Sequence, residues 1–139
     1  ITFLADLFPH AKLAPAQVDG QRGEYYRCLF YTASSVEAAL MEVAFQLPIQ
    51  PSMRKSLGYG SMEQVIATLD GQLSKQSYLL GEHFQSCDLL LAGLLMFAIR
   101  TGTLSPTPNM QAYLARITER AAYQKMLQIG EKQMAQLSA

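Results

Sequence analysis

The sequence predicts an all-α domain. Three observations carry that expectation: apolar residues recur at three- and four-residue spacings along most of the chain; no Val/Ile/Thr-rich alternating segment is bounded by hairpin turns; and the turn Tyr78–Asp88 runs straight into eleven apolar residues, Leu89–Ile99. With 139 residues, half of them apolar, the chain suits one compact domain around one core.

The elements follow in order. Ile1-Thr2-Phe3-Leu4 opens inside an apparent helix, with no capping residue before it. After a loop from Pro15 to Gly23, the residues Leu29, Ala33, Val36, Leu40, Val43 and Leu47 keep to one face of a long helix, which Pro48 and Pro51 end. A second stripe, Phe30, Ser34, Glu37, Met41 and Phe45, is mixed in polarity and offset from the first, as on a helix with two neighbours. Residues 52–59 read as an exposed loop. Gly58-Tyr59-Gly60-Ser61 lacks the preceding strand of a phosphate cradle and reads as a helix start, with Ser61 and Gln64 as a capping box. Met62, Val65, Ile66, Leu69 and Leu73 then continue as an amphipathic helix.

At the next turn, Gly81 permits a backbone reversal and Asp88 sits where a carboxylate accepts hydrogen bonds from the orphaned amides of a first helical turn. Phe84 and Leu89 are placed as a hydrophobic staple across that start. Gln85 is a poor cap residue, so Ser86 is an alternative cap one position later. We expect Asp88 to be structural, with its loss costing roughly 1–2 kcal/mol, and more if it is buried. The run Leu89–Ile99 is too short for a bilayer, which needs about twenty predominantly apolar residues, and reads as a helix enclosed by protein on every side. Gly102 and Pro106-Thr107-Pro108 break it. Pro108 opens a helix with Met110, Tyr113, Leu114 and Ile117 on its apolar face, and a last helix-compatible stretch starts at Ala121, with Gly130 expected to interrupt or end it.

Composition narrows the function. Eleven basic residues balance eleven acidic ones without a like-charge block, so neither nucleic acid nor an anionic membrane is expected as a partner. His10 and His83, the two histidines, have no companion at ligand spacing, and no metal site is expected. Cys28 and Cys87 stand far apart with no paired-cysteine motif and no recognisable secretory signal, which leads us to expect buried thiols in a reducing cytoplasm.

The pattern Tyr78-Leu79-Leu80-Gly81-x-x-Phe84-x-x-x-Asp88 resembles the C-terminal helical domain of soluble, bacterial-type glutathione S-transferases. Phe3-Leu4-Ala5-Asp6-Leu7-Phe8-Pro9 with Leu13-Ala14-Pro15 is similar to the last helix of that family's thioredoxin-like domain and the linker leaving it. Tyr113-Leu114-Ala115-Arg116-Ile117 and Arg120-Ala121-Ala122-Tyr123 resemble its closing helices. The chain departs from the family at Gln85, usually serine or threonine; at Ala121, often proline; and at Glu37-Ala38, where bacterial cysteine-type enzymes tend to carry histidine and lysine.

The resemblance implies a glutathione S-transferase C-terminal-like helical bundle over residues 15–139, with 1–14 a remnant of the preceding domain's last helix and linker. The abrupt opening Ile1-Thr2-Phe3-Leu4 fits that division. It further implies an intact enzyme that joins glutathione to hydrophobic electrophiles or reduces them, with the thiol-activating residue upstream. This domain would then be inactive alone and would supply dimer contacts and the co-substrate pocket wall. The implied wall is Phe30, Ser34, Glu37 and Met41, with Phe97 from the apolar helix. Arg100 is expected to close an ion pair or to serve the end of that helix. The alternatives are a non-catalytic interaction module of the same fold and, third, a free-standing helical ligand binder.

Overall fold

The computed structural model describes residues 1–137, so Ser138 and Ala139 of the expected domain lie outside the described residues. The described residues form eight α-helices: α1 (Thr2–Leu7), α2 (Arg22–Tyr31), α3 (Glu37–Ala44), α4 (Arg54–Leu57), α5 (Met62–Leu73), α6 (Ser86–Arg100), α7 (Pro108–Thr118) and α8 (Ala121–Leu137). No strand occurs among them. Helix α2 packs on α6, α3 on α5, α5 and α6 on α7, and α7 on α8. The core between them holds Tyr25, Leu40, Leu69, Leu91, Leu95, Met110 and Tyr113.

The long first helix is α2 and α3 joined by a π turn, Thr32–Val36. A π turn adds a residue to the helical repeat and so rotates one half against the other. The buried stripe consequently runs through Tyr25, Cys28, Thr32, Val36, Ala39 and Leu40. The expected stripe meets it only at Val36 and Leu40, with Leu29 half-buried and Ala33, Val43 and Leu47 exposed. Residues 51–57 are not the open loop expected. Pro51–Met53 makes a 3-10 turn and Arg54 opens α4, with its guanidinium paired twice to Glu42 at 2.8 and 3.2 Å and donating to the Gly60 carbonyl at 2.8 Å. Tyr59 completes the corner by donating to Glu42 at 2.9 Å.

Ser61 caps α5 by accepting from the Gln64 amide. Thr107 caps α7: its hydroxyl accepts from the Met110 amide at 3.2 Å and donates to Asp70 of α5, which also accepts from the Asn109 side chain at 3.1 Å. The last helix runs through Gly130 without a break, because a helix packed along one side tolerates a glycine at a cost of about 1 kcal/mol.

The segment before α2 is tied down. Arg22, 5% exposed, donates to the Pro15 carbonyl at 2.7 Å, to Asp6 of α1 at 2.8 Å and to the Tyr26 hydroxyl at 2.9 Å. The Leu13 carbonyl accepts from the Ser86 amide at 2.7 Å, so the linker covers the start of α6.

Candidate functional site

The site is built on α6, whose start is fixed by a buried polar cluster. The Asp88 carboxylate, fully buried, accepts from the Leu79 amide at 2.8 Å, the Gln85 amide at 2.8 Å and the Tyr113 hydroxyl at 3.1 Å. Gly81, at φ +114°, makes the reversal that aims the Leu79 amide at it. Burial pushes the Asp88 carboxyl above its ordinary range, and the hydrogen bonds from Leu79, Gln85 and Tyr113 oppose that rise.

The cap is Gln85, not Ser86. The Asp88 half of the reciprocal box closes, while the Gln85 side chain lies over the Asp88 amide and its Oε1 makes no hydrogen bond of normal geometry. Ser86 instead shares a 2.7 Å hydrogen bond with the buried Tyr25 hydroxyl. The staple also differs. Phe84 packs edge-on against Tyr78 and carries the Arg120 guanidinium 3.7 Å from its ring centroid, while Leu89 is about half exposed.

Helix α6 is not enclosed on every side. Leu91, Ala92, Leu95 and Ala98 are buried, but Leu89 (52%), Gly93 and Phe97 (49%) form an outward stripe at four-residue spacing. Three clefts meet along this stripe, and Phe97 lines all of them. One, of about 390 Å³, lies between α6 and the π turn, with Thr32, Ala33 and Glu37 facing Leu90 and Leu94. A second, of about 380 Å³, lies between α3 and the end of α6, lined by Leu40, Met41, Phe45 and Thr101. The third and largest, about 820 Å³, runs between α6, α7 and α8, past Met96, Arg100, Leu114 and Met126.

Of the expected pocket residues, Glu37, Met41 and Phe97 come together around this stripe. Phe30, 70% exposed, and Ser34 do not line these clefts. The Ser34 hydroxyl, in the π turn, donates to the Phe30 carbonyl of α2 at 2.6 Å, which occupies it with the backbone of its own helix. Leu89, Gly93 and Leu94 were not expected in the pocket wall from the sequence, which assigned Leu89 to the staple alone. The signal was present, a four-residue spacing from Leu89 to Phe97, but every intervening residue is apolar too.

Both thiols are buried and held above the ordinary cysteine range, mainly by desolvation, so neither is a ready thiolate nucleophile. Among the described residues no group of three or more His, Cys, Asp or Glu side chains is placed to hold a metal ion. No helix among them is long and apolar enough to cross a membrane.

No family model and no curated protein matches the sequence. Solved structures do match. The chain is similar to the bacterial glutathione transferase BphK, solved as a ternary complex, at TM-score 0.73 and 24% identity, over 92% of this chain and 64% of that one. A glutathione transferase from Methylococcus capsulatus matches at TM-score 0.74 and 23% identity, over 92% and 63%. A sphingomonad glutathione S-transferase in complex with glutathione matches at TM-score 0.72 and 22% identity, over 92% and 63%. The chain thus spans a little under two-thirds of the length of these transferases. In architecture it has the fold of the glutathione transferase C-terminal helical domain.

Proposed function

We propose that this chain is the helical part of a glutathione transferase and that its α6 stripe forms the wall of the co-substrate pocket. The observation that carries this reading is the match to glutathione transferases over nine-tenths of the chain, in which α6 turns an apolar, open stripe outward. The clefts suit an apolar electrophile: of the residues that line the three, only Glu37 and Arg100 are charged. They do not suit glutathione, a charged tripeptide that needs several fixed polar partners. We place its binding, and the group that activates its thiol, outside these residues.

The reaction we assign to the whole protein is attack of the glutathione thiolate on a hydrophobic electrophile, or thiol-dependent reduction of one. In it this chain holds the electrophile by burial. Phe97 presents an aromatic face, Met41 adapts to varied shapes, Glu37 restricts what approaches from the π-turn side, and the surrounding apolar groups exclude water. Dimer contacts we assign to the exposed apolar groups of α2, α3 and the turn after α3 that stand away from the clefts, Phe30, Val43 and Leu47. A soluble cytoplasmic setting fits this reading.

The test is glutathione turnover with a panel of uncharged electrophiles and peroxides by the protein that contains this chain, with the chain assayed beside it. Activity of the former alone is the expected result, and Phe97→Ala should reorder preference among bulky electrophiles. An unchanged ranking would remove Phe97 from the pocket. A folded, glutathione-inactive protein would favour an interaction module of the same fold.

A further inference from the structure

Ser86, the first residue of α6, is held twice, and both holds lead back to the segment before α2. Its amide, one of the donors that a helix start leaves without an intrahelical partner, reaches the Leu13 carbonyl of the linker at 2.7 Å. Its hydroxyl shares a 2.7 Å hydrogen bond with the Tyr25 hydroxyl, which in turn lies 3.4 Å from the Thr2 hydroxyl of α1. A phenolic oxygen carries one proton, so Tyr25 donates to one of these neighbours while it accepts from the other. Thr2, Tyr25 and Ser86 thus form one chain of hydroxyls from α1 to α6. Tyr25 and Ser86 are both buried, where water does not readily replace a lost partner. Helix α1 has a seat apart from this chain, through buried Ala5 and the Asp6–Arg22 ion pair at 2.8 Å.

We propose that Tyr25 is a positioning residue that couples the seat of α1 to the start of α6, so that a shift of α1 reaches the helix that carries the apolar stripe. A rigid, buried ring whose one hydroxyl serves two neighbours cannot follow either without straining its bond to the other, and hydroxyls in a chain polarise one another and strengthen both bonds. The consequence falls on the cleft beside the π turn. Ile1, next to α1, and Leu89 and Leu90, just after Ser86, are among its walls, so its width is set from both ends of the hydroxyl chain. For that bearing on ligands the inference rests on the reading of the α6 stripe as a pocket wall; the coupling itself does not.

The experiment follows amide hydrogen exchange of the isotope-labelled chain by NMR. Thr2→Val, which removes the hydroxyl and nearly keeps the shape, should speed exchange of the amide at position 86 about two- to fourfold and leave the amides of Leu69 in α5 and Tyr113 in α7 unchanged. In a Tyr25→Phe background that amide exchanges faster from the outset, and adding Thr2→Val should change it no further. Ser86→Ala breaks the same chain at its other end and replaces Tyr25→Phe as the background if circular dichroism shows that variant unfolded. The proposal is overturned if Thr2→Val leaves the amide at position 86 unaffected, if it speeds that amide, Leu69 and Tyr113 alike, or if its effect persists once the chain is broken, which would route the coupling through Leu13 instead. No ligand and no glutathione enter this measurement, so failure of the coupling and failure of the transferase reading register in different experiments.

Discussion

Replacing Asp88 by alanine should cost about 3–4 kcal/mol, a large fraction of the roughly 5–15 kcal/mol that stabilises a domain of this size. The magnitude follows from what each donor has left. The Leu79 amide, on a buried residue, loses its one partner and bears the full cost of an unsatisfied donor, about 1–3 kcal/mol. The Gln85 amide is only part-buried and recovers a bond to water. The Tyr113 hydroxyl keeps its bond to the Asp88 backbone carbonyl at 3.2 Å, so it loses a charge-assisted contact and is not orphaned. Relief from burying a charge offsets part of the total, and the space vacated beneath the turn adds to it.

Two further variants turn this into an ordering. Asp88→Asn keeps one oxygen toward Leu79 and Tyr113 but sets an amide group against the Gln85 donor, and should cost about half as much as alanine. Tyr113→Phe leaves the carboxylate its two amide donors and should cost about 1 kcal/mol. Urea unfolding followed by far-UV circular dichroism measures all three. The reasoning fails if Asp88→Ala lies within about 1 kcal/mol of the parent chain, or if Tyr113→Phe costs as much as Asp88→Ala.

Three other perturbations follow from the packing. Gly130→Ala should stabilise the chain by about 0.5–1 kcal/mol, since the residue is helical and an added Cβ meets nothing within 4 Å; a lower unfolding midpoint would refute it. Thr107→Asp substitutes one good cap residue for another, yet here it sets a second carboxylate against Asp70, so it should destabilise more than Thr107→Ala, the reverse of ordinary cap preference. The Arg54 and Tyr59 bonds hold the Glu42 carboxyl below its usual range, so their contribution is present above that range and is lost as pH falls through the lowered value. The stability deficit of Arg54→Met should therefore narrow on acidification, and a deficit that stays constant to low pH would exclude the ion pair as its source.

What the sequence made legible was set by contrast between neighbouring residues. The α5 cap and the start of α7 were readable because Ser61 and Pro108 stand against apolar periods, and Asp88 because it directly precedes a long apolar run, whereas the Thr107 cap was not singled out. The π turn was not readable, since one added residue moves the buried stripe from Leu29 and Ala33 to Cys28 and Thr32 without changing the three- and four-residue spacing. The α4 corner was hidden for a different reason. Arg54 and Glu42 are twelve positions apart, and nothing local marks their pairing.

The outward stripe of α6 shows where pattern reading ends. A helix apolar on all sides has no moment, so burial on every side and burial on one side with a ligand or a partner on the other are the same string of letters. Geometry separates them: α2 and α7 pack on α6, where Leu91 and Leu95 are buried, while Leu89, Gly93 and Phe97 stay exposed. An apolar surface of this kind is costly in water unless something meets it.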